Sequence, residues 1–78
     1  MSILVRARLH GLLRLIVDDP EGTCDVVLAP ESNVNDFLDR IDARNKAWIV
    51  SVNGTLRRGE HKLENGDETD CYPQLNGG

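Results

Sequence analysis

Apolar and polar positions alternate from the first residues of the chain. Ile3, Val5, Ala7 and Leu9 take turns with Arg6, Arg8 and His10. A period of two rich in β-branched residues predicts a strand with one buried face. Leu12 to Val17 is a denser apolar run, broken by Arg14. It is too short for periodicity to choose between a short helix after Gly11 and a second strand. Asp18-Asp19-Pro20-Glu21-Gly22 predicts a turn, because Pro and Gly both interrupt regular structure. Thr23 to Leu28 reads as the next strand.

The pattern then changes period. Val34, Phe37, Leu38 and Ile41 stand at i, i+3, i+4 and i+7, the single apolar stripe of an amphipathic helix. Asn33 is its expected N-cap, since its side chain can accept from an orphan backbone N–H. Asp36 follows three residues later, in the place of a capping-box partner and near the positive end of the helix dipole. The helix is expected to run out around Ala43 to Asn45.

Trp48 to Val52 returns to strand character, and Asn53-Gly54 follows directly. Asn-Gly is the strongest short hairpin signal, because both turn residues need positive φ. Leu56 falls on the returning arm. Asn65-Gly66-Asp67 predicts another turn, and Glu68 to Tyr72 a last strand ended by Pro73. Strands on both sides of one helix predict an α+β fold, a mixed sheet with the helix packed across one face.

At 78 residues the chain has room for one domain and little room for an internal catalytic cleft. Hydrophobic residues make up 40% and charged residues 28%, a balance that buries a core and argues against disorder. The net charge of −4 argues against a nucleic-acid partner, which a basic face would attract. It fits either docking on a basic partner or an ordinary solvated surface. Cys24 and Cys71 form no C-x-x-C and no zinc spacing with His10 or His61, so no metal site is expected. The start of the chain lacks a signal-peptide core, and no run approaches the roughly 18 apolar residues of a membrane span. The expected compartment is the cytoplasm, with reduced thiols and no membrane partner.

The chemistry-bearing feature is the end of the chain, Asn76-Gly77-Gly78. With glycine at about 7% of residues, two closing glycines arise by chance in roughly 0.5% of sequences. A frayed terminus or a cloning remnant is the competing explanation. The functional one has a physical basis. Residues 1–73 are expected to form the domain, and residues 74–78 a flexible tail reaching about 17 Å when extended. Glycines have no Cβ, so the last two residues can thread a narrow cleft. The terminal carboxylate is ionised at neutral pH and can attack the α-phosphate of ATP held by another enzyme.

These residues resemble the MoaD/ThiS family of ubiquitin-like sulfur carriers over nearly the whole chain. The most specific stretch is Val52-Asn53-Gly54 through Leu63, then Asn65-Gly66-Asp67-Glu68, then Pro73 and Gly77-Gly78. Leu28-x-Pro30-Glu31 leading to Asn33-Val34-x-Asp36-Phe37-Leu38 fits upstream. The resemblance implies a ubiquitin-like β-grasp. It implies adenylation of Gly78 by a ubiquitin-activating-type enzyme, then conversion to a thiocarboxylate with a sulfur donor enzyme. No cofactor is expected to stay bound, ATP being used by the adenylating partner, and the carrier itself is expected to have no turnover.

Within the family the chain is most similar to the small subunit of molybdopterin synthase. His10-Gly11-Leu12-Leu13-Arg14-Leu15 is similar to a helical insertion of that branch, and Pro73 followed by Gln74-Leu75 also suits it. The archaeal ubiquitin-like modifiers share most of these features. The branch implies an apolar sheet patch that docks the adenylating enzyme and the large synthase subunit. Leu56 and Tyr72 match two of its positions and Leu9 is a third candidate. Pro73, Leu75 and Asn76 are expected to join the partner contact. For Leu56 and Leu9 plain core packing is the alternative, whereas the Tyr72 hydroxyl suits a half-wet interface. Thr69 and Cys71 stand where the family has large aliphatic residues, so a less well-packed last strand is expected. Cys24 and Cys71 are expected to be small core residues rather than redox or thioester groups. Arg57-Arg58 is either a solvated turn or a means of steering an acidic partner.

Three functions follow: a sulfur carrier for molybdopterin synthesis, or for thiamine synthesis or tRNA thiolation; a protein modifier joined to lysines through Gly78; and a plain interaction module with an incidental tail.

Overall fold

The first strand, β1 (Ile3–Leu9), realises the alternation at its start. In the computed structural model, which describes residues 1–16 and 21–73 apart from the side chains at 14–16 and 48, Val5, Ala7 and Leu9 are buried while Leu4, Arg6 and Arg8 face out. The apolar run after it is helical: Gly11–Ile16 forms a 3-10 helix. Gly11 starts it at φ +57, and the Leu13 N–H donates to the His10 carbonyl at 3.1 Å. Leu13 enters the core and Leu12 stays exposed. The expected turn over residues 18–22 lies mostly outside the described residues.

Strand β2 (Thr23–Leu28) runs antiparallel to β1 and buries Val26 and Leu28. The helix α1 (Val34–Arg40) buries Val34, Phe37 and Leu38. Its capping box is complete: Asn33 Oδ1 accepts from the Asp36 N–H at 2.8 Å, and Asp36 Oδ2 accepts from the Asn33 N–H at 2.9 Å. Asn33→Ala removes the cap and is expected to cost about 1 kcal/mol, read as a lower urea midpoint with an unchanged slope.

The helix ends earlier than its apolar stripe. Ile41 is already the C-cap, and Asp42 takes φ 60. The Asp42 N–H donates to the Asp39 carbonyl and the Ala43 N–H to the Leu38 carbonyl. This is the double closure of a Schellman motif with an aspartate in the left-handed position. The sequence stripe conceals it because Asp42 stands where glycine usually marks such an end. Ile41 and Ala43 still pack on the core, as non-helical residues.

Strand β3 (Ala47–Val52) and strand β4 (Thr55–Arg57) form the expected hairpin, with Val52 opposite Thr55. Asn53 at φ 51 and Gly54 at φ 87 give both positive angles of a type I′ turn. Asn53 does more than turn the chain. Its Oδ1 accepts from the Glu68 N–H at 2.9 Å and its Nδ2 donates to Asp67 Oδ1 at 3.0 Å. It thereby ties the hairpin to the start of strand β5 (Glu68–Pro73).

The five strands form one sheet in the order β2-β1-β5-β3-β4. The two chain-terminal strands, β1 and β5, lie side by side and parallel; the other neighbours are antiparallel. The helix covers one face, and the core lies between them with Phe37 its largest fully buried side chain. Thr69 and Cys71 are also fully buried. The Thr69 hydroxyl donates to the Arg6 carbonyl at 3.0 Å, which satisfies it inside the core.

Candidate functional site

The pleat that sends Val5, Ala7, Leu9, Thr69 and Cys71 inward sends the intervening residues to the sheet's open face. On its β2-β1-β5 side most of those residues are charged and paired, with Leu4 and Val27 exposed opposite each other. Arg6 Nε meets Asp25 at 3.1 Å, and Arg8 meets Asp70 at 3.5 Å and Glu68 at 3.7 Å. The Asp25 hydrogen bond, more than any other influence, holds the Arg6 pKa above its ordinary value. Exposed pairs of this kind add little stability. They remove net charge from the middle of the face.

Toward β3 and β4 the face becomes apolar. Tyr72 stands opposite Ile49, and Leu56 opposite Ser51, so these four residues from three strands adjoin. Leu56 is 65% exposed and Tyr72 39% exposed, which places both on the surface rather than in the core. Leu9 is different. At 1% exposure it belongs to the core on the helix side of the sheet. The period-two pattern that buries Val5 and Ala7 buries Leu9 with them, so it offers a partner no surface.

One contributor is absent from the residues singled out in the sequence. The His10 ring stacks on the Tyr72 ring at a centroid distance of 4.5 Å and an interplanar angle of 8°. His10 Nε2 lies 3.0 Å from Asp70 Oδ1, and the His10 N–H donates to the Cys71 carbonyl at 3.0 Å. Tyr72 is thus held from behind by a residue 62 positions earlier, which fixes a ring that would otherwise rotate on an open face. The alternation Arg6, Arg8, His10 places His10 on this face. Its meeting with Tyr72 depends on the parallel pairing of β1 with β5, which no local pattern encodes.

The end of β5 is braced as well. Pro73 pairs with Ala47, and a Cβ on Gly11 would come within 2.9 Å of Pro73 Cγ. Gly11 therefore serves both the positive φ and the close approach. Pro73, the last described residue, is flanked by Gly11 and Ala47. The expected tail at 74–78, with Leu75, Asn76, Gly77 and Gly78, lies outside the described residues.

Neither cysteine sits at this surface as a nucleophile. Cys24 is partly buried against the core and Cys71 is fully buried. Burial first, then Asp70 and Cys24, push the Cys71 thiol from 9.0 up to about 12. Above pH 9 the unfolded chain releases this proton while the folded chain retains it, so stability is present below pH 9 and lost between pH 9 and about 12. Cys71→Ser is expected to flatten that alkaline loss in denaturation curves recorded across this range. Among the described residues no group of three His, Cys, Asp or Glu is arranged to hold a metal ion, and no helix is long and apolar enough to cross a membrane.

Comparison with known proteins gives no matching family model and no matching curated protein. Solved structures do match. The H. volcanii small archaeal modifier protein 1 is 17% identical, with a TM-score of 0.77 over 94% of this chain and 99% of that one. A protein described as molybdopterin converting factor, subunit 1, from Pyrococcus furiosus is 19% identical, with a TM-score of 0.77 over 95% and 100%. The fold is the ubiquitin-like β-grasp. In this β-grasp the strand that ends at Pro73 lies inside the sheet, between β1 and β3, with the Tyr72–Leu56 patch at its end.

Proposed function

We propose that this β-grasp domain is a sulfur carrier whose reactive atom is the terminal carboxylate of Gly78, acting in the cytosol. The observation that supports it most is the placement of Pro73. An inner strand ends there, beside an exposed apolar patch, five residues before Gly78. In the proposed reaction a ubiquitin-activating-type enzyme docks on Tyr72, Leu56 and Pro73, with Leu75 and Asn76 leading the tail into its active site. A Gly78 carboxylate oxygen attacks the α-phosphate of ATP and pyrophosphate leaves. Sulfide sulfur supplied by a donor enzyme then attacks the acyl carbon and AMP departs, leaving a thiocarboxylate. The domain supplies docking and reach, and the partner supplies ATP and the catalytic groups. The Pyrococcus furiosus neighbour favours molybdopterin synthesis as the destination, with a large synthase subunit as acceptor partner.

The test is incubation with the activating enzyme, ATP and sulfide, followed by fragment mass spectrometry of the C-terminal peptide. The expected product carries sulfur in place of one oxygen at Gly78. Localisation to Gly78 is required, because one added oxygen on Cys24, Cys71 or Met1 gives nearly the same intact mass. The modifier neighbour supports a second reading, in which a lysine amine of a target attacks the same acyl carbon. Conjugates that survive reducing, denaturing gels, with no sulfur product, would decide for it. Docking has its own check. Leu56→Asp is expected to weaken binding to the activating enzyme at least about tenfold, since truncated interface anchors commonly cost this much. Its melting temperature should hold, because Leu56 is exposed.

A further inference from the structure

A second surface begins at the β3–β4 edge of the patch and shares Ile49 and Leu56 with it. Between α1 and these strands runs an open groove of about 540 Å³. Val34, Leu38 and Val50 close its floor as buried residues, Leu56 supplies most of its exposed apolar surface with Ile49 and Ala47 half-buried beside it, and Arg44, Arg57 and Arg58 stand along it. Among the described residues no carboxylate lines it. That is notable in a chain with 13 acidic and 9 basic side chains. Arg44 is paired with Asp39 at 2.8 Å. Arg57 and Arg58 are exposed, and among the described ion pairs neither has a partner, unlike Arg6, Arg8 and Lys62. Three neighbouring cations on one rim repel each other, and a bound anion relieves that repulsion.

The groove also opens beside a free sheet edge. β4 is the terminal strand of the sheet. Val52 and Thr55 flank the two-residue turn, so antiparallel alternation turns the N–H and C=O of Leu56 away from β3. An extended backbone can pair there.

We propose that this groove docks an extended acidic peptide segment of a partner protein. Aliphatic side chains of the segment lie on Leu56, Ile49 and Ala47, and its carboxylates meet Arg57 and Arg58. The site does not depend on the tail chemistry, and it shares Leu56 and Ile49 with the docking patch.

The probe is a synthetic peptide alternating leucine with glutamate, titrated into the 15N-labelled full chain. Saturable amide shifts are expected at residues 34–38 and 47–59. Arg57→Glu combined with Arg58→Glu is expected to weaken binding at least about tenfold and to abolish its salt dependence. Both side chains are exposed, so the amide spectrum of this variant should otherwise remain that of the folded chain. A chain lacking Gly77 and Gly78 should bind the peptide equally, so the outcome of this test is independent of whether the tail chemistry holds. The proposal is overturned by no saturable shift up to about 1 mM peptide, by shifts elsewhere on the sheet, or by equal binding of the lysine-for-glutamate peptide. Tighter binding of a single-stranded RNA, or groove shifts that grow with protein concentration alone, would name a different occupant and also overturn it.

Discussion

Removing Gly77 and Gly78 is expected to abolish adenylation of the chain while leaving its fold and its docking intact. The size of the effect follows from reach. Each extended residue spans about 3.3–3.6 Å, so a chain ending at Asn76 presents its carboxylate about 7 Å short of the α-phosphate. A misplacement of about 1 Å can cost a hundredfold in rate, so ATP–pyrophosphate exchange should fall by more than about that factor. Gly77→Val keeps the length and adds a branched side chain at a position proposed to thread a narrow cleft. It should lose most of the exchange for a different reason. Neither change is expected to touch the core, whose buried members among the described residues lie at or before Cys71. Thermal unfolding should therefore match the parent chain. The truncated chain retains Leu56, Tyr72 and Pro73, so it should still compete with the full chain for the activating enzyme. Undiminished exchange by the truncated chain would remove the carboxylate of Gly78 from the reaction. Loss of both exchange and competition would place residues 77–78 in docking rather than in chemistry.

Most of the architecture is legible in the sequence because its signals are local. The alternation in β1, the Asn33–Asp36 capping box and the Asn53-Gly54 turn each act within a few residues, and each appears where its pattern places it. The short apolar run after Gly11 had two readings, and the choice of a 3-10 helix rests on contacts that are not local, Leu13 reaching the core and Gly11 closing on Pro73. The helix end was concealed because Asp42 adopts a left-handed angle without glycine. The site divides in the same way. Leu56 and Tyr72 are exposed, as residues of a docking face must be. Leu9 could be assigned from its own alternation, which puts it in phase with Val5 and Ala7 and hence in the core. His10 and Ile49 join Tyr72 only through strand pairings between distant parts of the chain, so no spacing announces them. The expected weakness of the last strand rested on residue type alone. Thr69 and Cys71 are nevertheless fully buried, and a hydrogen bond from Thr69 to the neighbouring strand compensates for its hydroxyl.

Phe37→Ala is expected to be the most damaging single core substitution. Phe37 has no exposed surface and is the largest fully buried side chain. It stands on α1 against a core drawn from β1, β2, β3 and β5, so its removal leaves a void bordered on several sides by strands held in register. A sheet paired along both flanks cannot close around such a void without breaking its ladder. Truncations of this kind cost about 3–5 kcal/mol. At about 0.05–0.15 kcal/mol per residue the whole chain is stable by about 4–12 kcal/mol. The substitution thus removes between a quarter of the stability and all of it. With a urea slope of about 1–2 kcal/mol per molar, the unfolding midpoint should fall by at least about 1.5 M. Leu12→Ala, on an exposed residue, should stay within about 0.5 kcal/mol of the parent and serves as the control. Near-parent stability of Phe37→Ala would mean that the helix does not seat Phe37 on the sheet. The same loss bears on function, since Tyr72 and Leu56 form one surface only while β5 and β3 stay paired. A partly unfolded Phe37→Ala chain should therefore support exchange in proportion to its folded fraction, and recover it when stabilising salt restores the fold.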